Sequence, residues 1–285
     1  MPGCAPRGKV LGMNVRWLLV VLVGLGSGFA AGGQTAPTQQ EIEAKLKAAP
    51  FLMIRGMYAG DKLNFNPQGT LAGPAEKTFF SLSAMLVEQV QLSDTQLEIR
   101  GRRAALTFRY KGPVGLQRDL MPDVKSISAS PYGTGDLDVI IARDPQNPDS
   151  LESALNGAFA VGIDDKLAGS APYYWQSFLR HYLHPADIPA SIASDSGIRT
   201  PILRYAPDSL LRDAIKRFHV TGVSVVRLTI DTNGVPRDVY LLRPLGMGAD
   251  EYAVAEVLQY RFTPATRHGQ PVPKDVNIEV NFRDF

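Results

Sequence analysis

His181 and His184 are the first candidates for chemistry, because residues three apart on a helix share a face as a metal pair requires. Pro185 follows at once and no third ligand stands at a recognised spacing, so the pair reads as histidines that end or cap a helix. Ser81, Ser83 and Ser128 lack the glycine-flanked elbow of a nucleophilic serine. Gly133-Thr134-Gly135 reads as a turn rather than a phosphate loop, since neither a lysine nor a helix start follows it. Asp144, Asp149, Asp164 and Asp165 read as caps and turn residues, not as an acid/base pair. The densest basic run, Arg100-Gly101-Arg102-Arg103, reads as a solvated turn between strands. No catalytic residue, cofactor or metal is assigned, and the chain reads as a binding protein rather than an enzyme.

Composition agrees. Hydrophobic residues make up 45% and charged residues 20% of the 285 positions, as in an ordinary globular protein. A formal charge of +2 carries no clustered basic face, so nucleic acid is not expected as a partner.

The first 33 residues read as an address. Arg7, Lys9 and Arg16 precede the apolar run from Trp17, which passes through small residues to Ala31. A basic start, a short apolar stretch and small residues describe a secretory signal, cut after Ala30 or Gly33. The competing reading is an uncleaved anchor through residues 17–33. A span needs about 20 apolar residues, and this glycine-rich run is at the lower limit, which favours the cleaved signal. The one cysteine, Cys4, precedes the apolar run, so a mature exported chain has neither a disulfide nor a thiol nucleophile. The expected place is the periplasm or cell envelope.

The elements that follow are α+β. Residues 34–50 are a polar segment and a short helix, Glu41 to Ala49, ended by Pro50. Residues 51–184 alternate with period two. Leu63 with Phe65, Leu97 with Ile99, and Leu106 with Phe108 and Tyr110 mark strands of an antiparallel, β-rich domain. Helices are expected from Ser150 to Ala160 and over the aromatic stretch Pro172 to Leu183, the second packed on the sheet. Residues 185–200, rich in Pro, Ser, Ala and Asp, read as a linker.

Residues 201–285 form a second module. A helix capped by Asp208 or Ser209 runs through Ile215. Val223 to Ile230 is a strand, Asn233-Gly234 a hairpin turn, and Val235 to Leu242 the return strand. Asp250 and Glu251 start a helix whose apolar stripe is Tyr252, Ala255, Leu258 and Phe262, stopped by Thr263-Pro264. Val276, Ile278, Val280 and Phe282 alternate with Asn277, Glu279, Asn281 and Arg283 in a last strand. This β-β-α-β order places the first strand between the other two, antiparallel to both, and leaves the last strand as an edge.

Gly222 with Asp231-Thr232-Asn233-Gly234-Val235, then Asp250, Ala253 and Ala255, then Arg261-Phe262-Thr263-Pro264-Ala265, then Gly269-Gln270-Pro271-Val272 resemble the TonB C-terminal domain family. The resemblance implies a periplasmic module that takes up the TonB box of an outer-membrane transporter as an added strand beside its last strand. The partner-binding edge would be Val276, Asn277, Ile278, Glu279, Val280 and Asn281. Gly222, Gly234, Arg261, Phe262, Pro264 and Ala265 would be the motif's structural positions. The family's Tyr-Pro pair is absent, with Leu211-Arg212 in its register, and no Pro-rich reach across the periplasm is present. The alternative is an exported adaptor whose module binds another envelope protein, or a second copy as a homodimer, without energy transduction.

Overall fold

The computed structural model describes residues 38–111, 123–147, 149–185, 197–207, 216 and 219–282. The candidate leader, most of the linker and the helix expected over 208–215 lie outside these residues.

Helix α1 (Gln39–Lys47) begins two residues earlier than the apolar pattern suggested, because Thr38 caps it. The Thr38 hydroxyl accepts from the Glu41 amide and the Glu41 carboxylate accepts from the Thr38 amide, which satisfies two otherwise orphaned donors. Strands β1 (Leu52–Ile54), β2 (Lys62–Phe65), β3 (Ala84–Leu92), β4 (Gln96–Tyr110) and β5 (Val124–Ala142) follow, then helix α2 (Ser150–Ala158) and strand β6 (Phe159–Val161). They form a sheet in the order β2-β5-β4-β3-β1-β6. Its pairings are antiparallel except β2 with β5, which is parallel.

The basic run is not a turn. Arg100-Gly101-Arg102-Arg103 lies within β4, and the register with β5 shifts between Arg102 and Ala104. That bulge moves the buried set from Leu97, Ile99 and Gly101 to Ala104, Leu106 and Phe108. The break in alternation that looks like a turn in sequence is therefore a change of phase inside one strand. A Cβ at Gly101 would stand 2.0 Å from the Leu86 carbonyl oxygen, so the position admits no side chain. The arginines are engaged, Arg100 with Glu98 of its own strand and Asp138 of β5, Arg102 with Glu88 of β3, and Arg103 with the Gly60 carbonyl in the loop before β2. Gly133-Thr134-Gly135 likewise lies inside β5, not in a turn.

Helices α3 (Asp165–Ser170) and α4 (Tyr173–Leu183) close the first half. Asp164 caps α3 by accepting from the Leu167 amide and also holds the Arg55 guanidinium. Strands β7 (Ile198–Arg199) and β8 (Ile202–Tyr205) lead to β9 (Gly222–Ile230), β10 (Pro236–Arg243) and helix α5 (Ala249–Val257). Strands β11 (Arg261–Thr263), β12 (Ala265–Arg267), β13 (Gln270–Val272) and β14 (Lys274–Phe282) end the chain.

Two expectations for α5 are corrected. The helix ends at Val257 with a tightened last turn, in which the Gln259 and Tyr260 amides reach back three residues to Glu256 and Val257. Arg261 to Thr263 then pairs with β8 as a strand, so Thr263-Pro264 stops nothing helical. The buried stripe is Ala249, Ala253, Val254 and Val257, whereas Ala255 and Leu258 face outward and Tyr252 is half-buried. Asp250 and Glu251 stand in the first turn, as read from the sequence, and both are buried there.

Residues 36–285 make one compact unit. One apolar cluster joins Phe80, Leu106, Phe108, Trp175 and Phe178 to Val226, Leu228, Leu241, Val257 and Phe282. Trp175 sits at its centre, 4.8 Å from the Phe80 ring and 5.6 Å from the Phe108 ring between centroids. A second cluster around Ile42, Leu52, Leu97, Ile99 and Leu151 fills the other face of the six-stranded sheet.

Candidate partner-docking edge

β9, β10 and β14 form the sheet the alternation pattern called for, in the order β10-β9-β14 with both pairings antiparallel. β14 pairs with β9 over its whole length, from Lys274 opposite Ile230 to Phe282 opposite Gly222, without a register shift. Its other side has no strand partner among the described residues.

The opposite margin of this sheet is occupied. α4 packs closely alongside β10. The Tyr110 hydroxyl donates to the Pro244 carbonyl at 2.5 Å, and the Arg243 guanidinium lies 4.5 Å over the Tyr110 ring. Beyond β10 the chain adds itself to β4, where β3 has ended. The Phe108 amide donates to the Leu245 carbonyl at 3.4 Å and the Met247 amide to the Leu106 carbonyl at 2.8 Å. The first half thus braces one margin of the sheet and leaves β14 at the other.

Along β14 the side chains alternate as read from the sequence. Val280 and Phe282 are buried, and Val276 and Ile278 are half-buried against the same core. On the opposite face Glu279 and Asn281 are exposed and Asn277 is half-buried. The chemistry beside this row comes from Arg227 at the centre of β9, which is 6% exposed. Its guanidinium reaches the Asp275 carboxylate at 3.3 Å, and the Thr229 hydroxyl donates to the same carboxylate at 2.7 Å. Asp275 is therefore held by β9, whereas Glu279 has a face to solvent.

The motif residues gather elsewhere. Gly222 opens β9 opposite Phe282, and its backbone passes close to Leu245. Gly234 ends the β9–β10 turn, where the Asp231 carboxylate accepts from the Asn233 and Val235 amides. Phe262 is buried in the core and Ala265 fully buried in β12, while Arg261 is exposed and donates to the Leu258 and Tyr260 carbonyls. Pro264 is half-buried between β11 and β12.

His184 caps α4 and meets the Asp165 carboxylate at 2.5 Å, while His181 is half-buried, and burial lowers its pKa against the pull of Asp123. Among the described residues no group of three His, Cys, Asp or Glu could hold a metal ion, and no helix is long and apolar enough to cross a membrane. An apolar groove of about 120 Å³ lies between α1 and α2, lined by Ile42, Leu46, Leu151, Leu155, Phe159 and Val161, with the Lys45–Glu152 ion pair at its rim.

Residues 213–283 match the family model of the Gram-negative bacterial TonB protein C-terminal. No curated protein and no solved structure matches the chain. The TonB-type segment thus takes in the β9–β10 hairpin, α5 and β14, together with the short strands between them. Trp175 and the rest of the first half lie outside it. Sequence reasoning overlooked Trp175, Asp250 and Glu251 as partners. A tryptophan in an apolar helix stripe and two adjacent acids followed by Tyr252-Ala253-Val254 were the available signals.

Proposed function

We propose that this chain is an exported cell-envelope protein whose TonB-type module captures an extended partner segment as an added strand beside β14. The partner of choice is the TonB box of an outer-membrane transporter. The carrying observation is the asymmetry of the β10-β9-β14 sheet. β10 is braced by α4, Tyr110 and the turn after it, whereas β14 has an open side among the described residues. An unpaired strand edge offers main-chain donors and acceptors in register for a second strand, and alternate side chains of the guest then meet alternate rows of the host. Val276 and Ile278 offer that guest an apolar row, and Asn277, Glu279 and Asn281 a polar one.

A sheet anchored on one side is preorganised. A guest strand then loses less free energy to ordering its host than it would on a free-standing hairpin. Titrating a TonB-box peptide into the labelled protein tests the proposal. Amide shifts are expected at Asn277 to Val280, with smaller ones on β10. Unmoved β14 amides at saturating peptide reject the transporter reading and leave the adaptor.

A further inference from the structure

Glu251 stands where the two halves meet. Its Oε1 accepts from the Trp175 indole N–H at 3.0 Å and from the Phe80 amide at 3.2 Å, while its Oε2 is buried without a partner. One carboxyl on α5 is thus gripped by α4 and by the 3-10 turn Phe80–Leu82 that precedes β3. We propose that Glu251 is a protonation latch, which holds α5 against Trp175 and Phe80 while neutral and lets them part when ionised.

The groups facing this carboxyl offer an anion little. On its own helix, Asp250 is fully buried and accepts from the Ser224 hydroxyl of β9 and the Leu245 and Gly246 amides, and Glu256 is buried as well. From α4 come Trp175 and Tyr174, whose phenol is raised by burial first and then by the charge of Glu251. From the 3-10 turn come the Phe80 amide and Ser81, whose hydroxyl accepts from the Gly248 amide at 2.9 Å. Beyond Asp250, from β4 comes Tyr110, which feels the Asp250 charge and is bonded to the Pro244 carbonyl, and from β10 Arg243, which stacks on the Tyr110 ring. The guanidinium is turned to the phenol, so a charge formed on Glu251 is met by two donors and by a second acid next to it.

Desolvation first, and the Asp250 charge second, raise Glu251 from 4.5 to about 8, against the Trp175 and Phe80 hydrogen bonds. A conformation in which water reaches the carboxyl returns it to the ordinary carboxylate range. Each pH unit climbed between those limits then favours the parted state by up to tenfold.

The chain's two tryptophans are Trp17 and Trp175, so a full-length Trp17→Phe protein carries one indole, hydrogen-bonded to the carboxyl in question. Its emission, and the hydrogen exchange of amides 249–257 corrected for chemical rate, are followed from pH 5 to 9.5. Both are expected to titrate with a midpoint near 8 in this protein and to stay flat once Glu251→Gln is added. Asp250→Asn is expected to lower the midpoint. Equal behaviour with and without Glu251→Gln, whether flat or titrating, overturns the latch. Should the Gln variant not fold, the carboxyl carbon shift of Glu251 in the parent decides. A midpoint near 8 supports the latch and one below 6 overturns it.

Discussion

The Gly234 carbonyl accepts a hydrogen bond from the Phe262 amide at 2.9 Å, and a Cβ on Gly234 would stand 1.8 Å from the Phe262 carbonyl oxygen. Two positions of the sequence motif, far apart in the chain, are therefore one contact. The turn between β9 and β10 is stitched to β11, which is itself paired with β8.

Gly234→Ala follows from that contact. Gly234 has φ of +78°, so any side chain is strained there before the clash with Phe262 is counted. The left-handed backbone alone costs about 1–2 kcal/mol, and displacing the Phe262 carbonyl adds to it. Urea denaturation is expected to show at least that loss, while an unchanged midpoint contradicts the stitched turn.

The shared core around Trp175 gives a second expectation. Trp175→Ala should cost about 3–5 kcal/mol, as large core truncations do. Trp175→Phe keeps most of the ring volume but removes the donor to Glu251, at about 1–3 kcal/mol. Because the cluster spans both halves, secondary-structure and fluorescence probes should report one coincident unfolding transition over residues 36–285. Two separated transitions would show that the halves hold together weakly.

Much of the C-terminal module was legible because its signals are local. Val276, Ile278, Val280 and Phe282 alternate with period two, Asn233-Gly234 marks a turn, and the order of elements dictates the central place of β9. The failures share a physical cause. At Arg100 to Arg103 a bulge reverses the alternation, and nothing local distinguishes a phase change from a turn. At α5 the acids stand at the helix start, as their charge suits, but no local signal marks them as buried. Glu251 takes its donors from Trp175 and the Phe80 amide, and Asp250 takes one from Ser224 beside the nearby Leu245 and Gly246 amides, so much of what lets these acids be buried is distant in sequence. The bracing of β10 by α4 and Tyr110 is long-range in the same way, and the asymmetry of the candidate edge rests on it.

The two buried acids also set a pH dependence of stability. Desolvation raises Asp250 from 3.8 to about 6 and Glu251 from 4.5 to about 8. An acid whose folded-state pKa is raised binds more protons folded than unfolded, so its contribution is complete below the unfolded pKa and is lost as pH rises through the folded one. Stability contributed by this pair should therefore decline from about pH 4 to about pH 8 and level off above. Glu251→Gln should flatten the upper part of that decline and Asp250→Asn the lower part. Thermal midpoints measured every half pH unit read both, and a decline that survives the double variant assigns it to other groups.

The candidate edge itself can be probed with one thiol. Cys4 is the chain's only cysteine, so a Cys4→Ser, Glu279→Cys protein carries a single reactive group on β14, at an exposed position opposite Val225. Surface changes away from caps and cores ordinarily move stability within about 0.5 kcal/mol, so the fold should be unaffected. Val161→Cys in the same background is the control. Val161 is 59% exposed and lies on β6, the edge strand of the other sheet. With a short thiol cross-linker, a transporter carrying a TonB box should be captured at position 279 and not at 161, and excess free TonB-box peptide should abolish the capture. Equal capture at both positions would mean that exposure alone, rather than strand addition at β14, governs the contact.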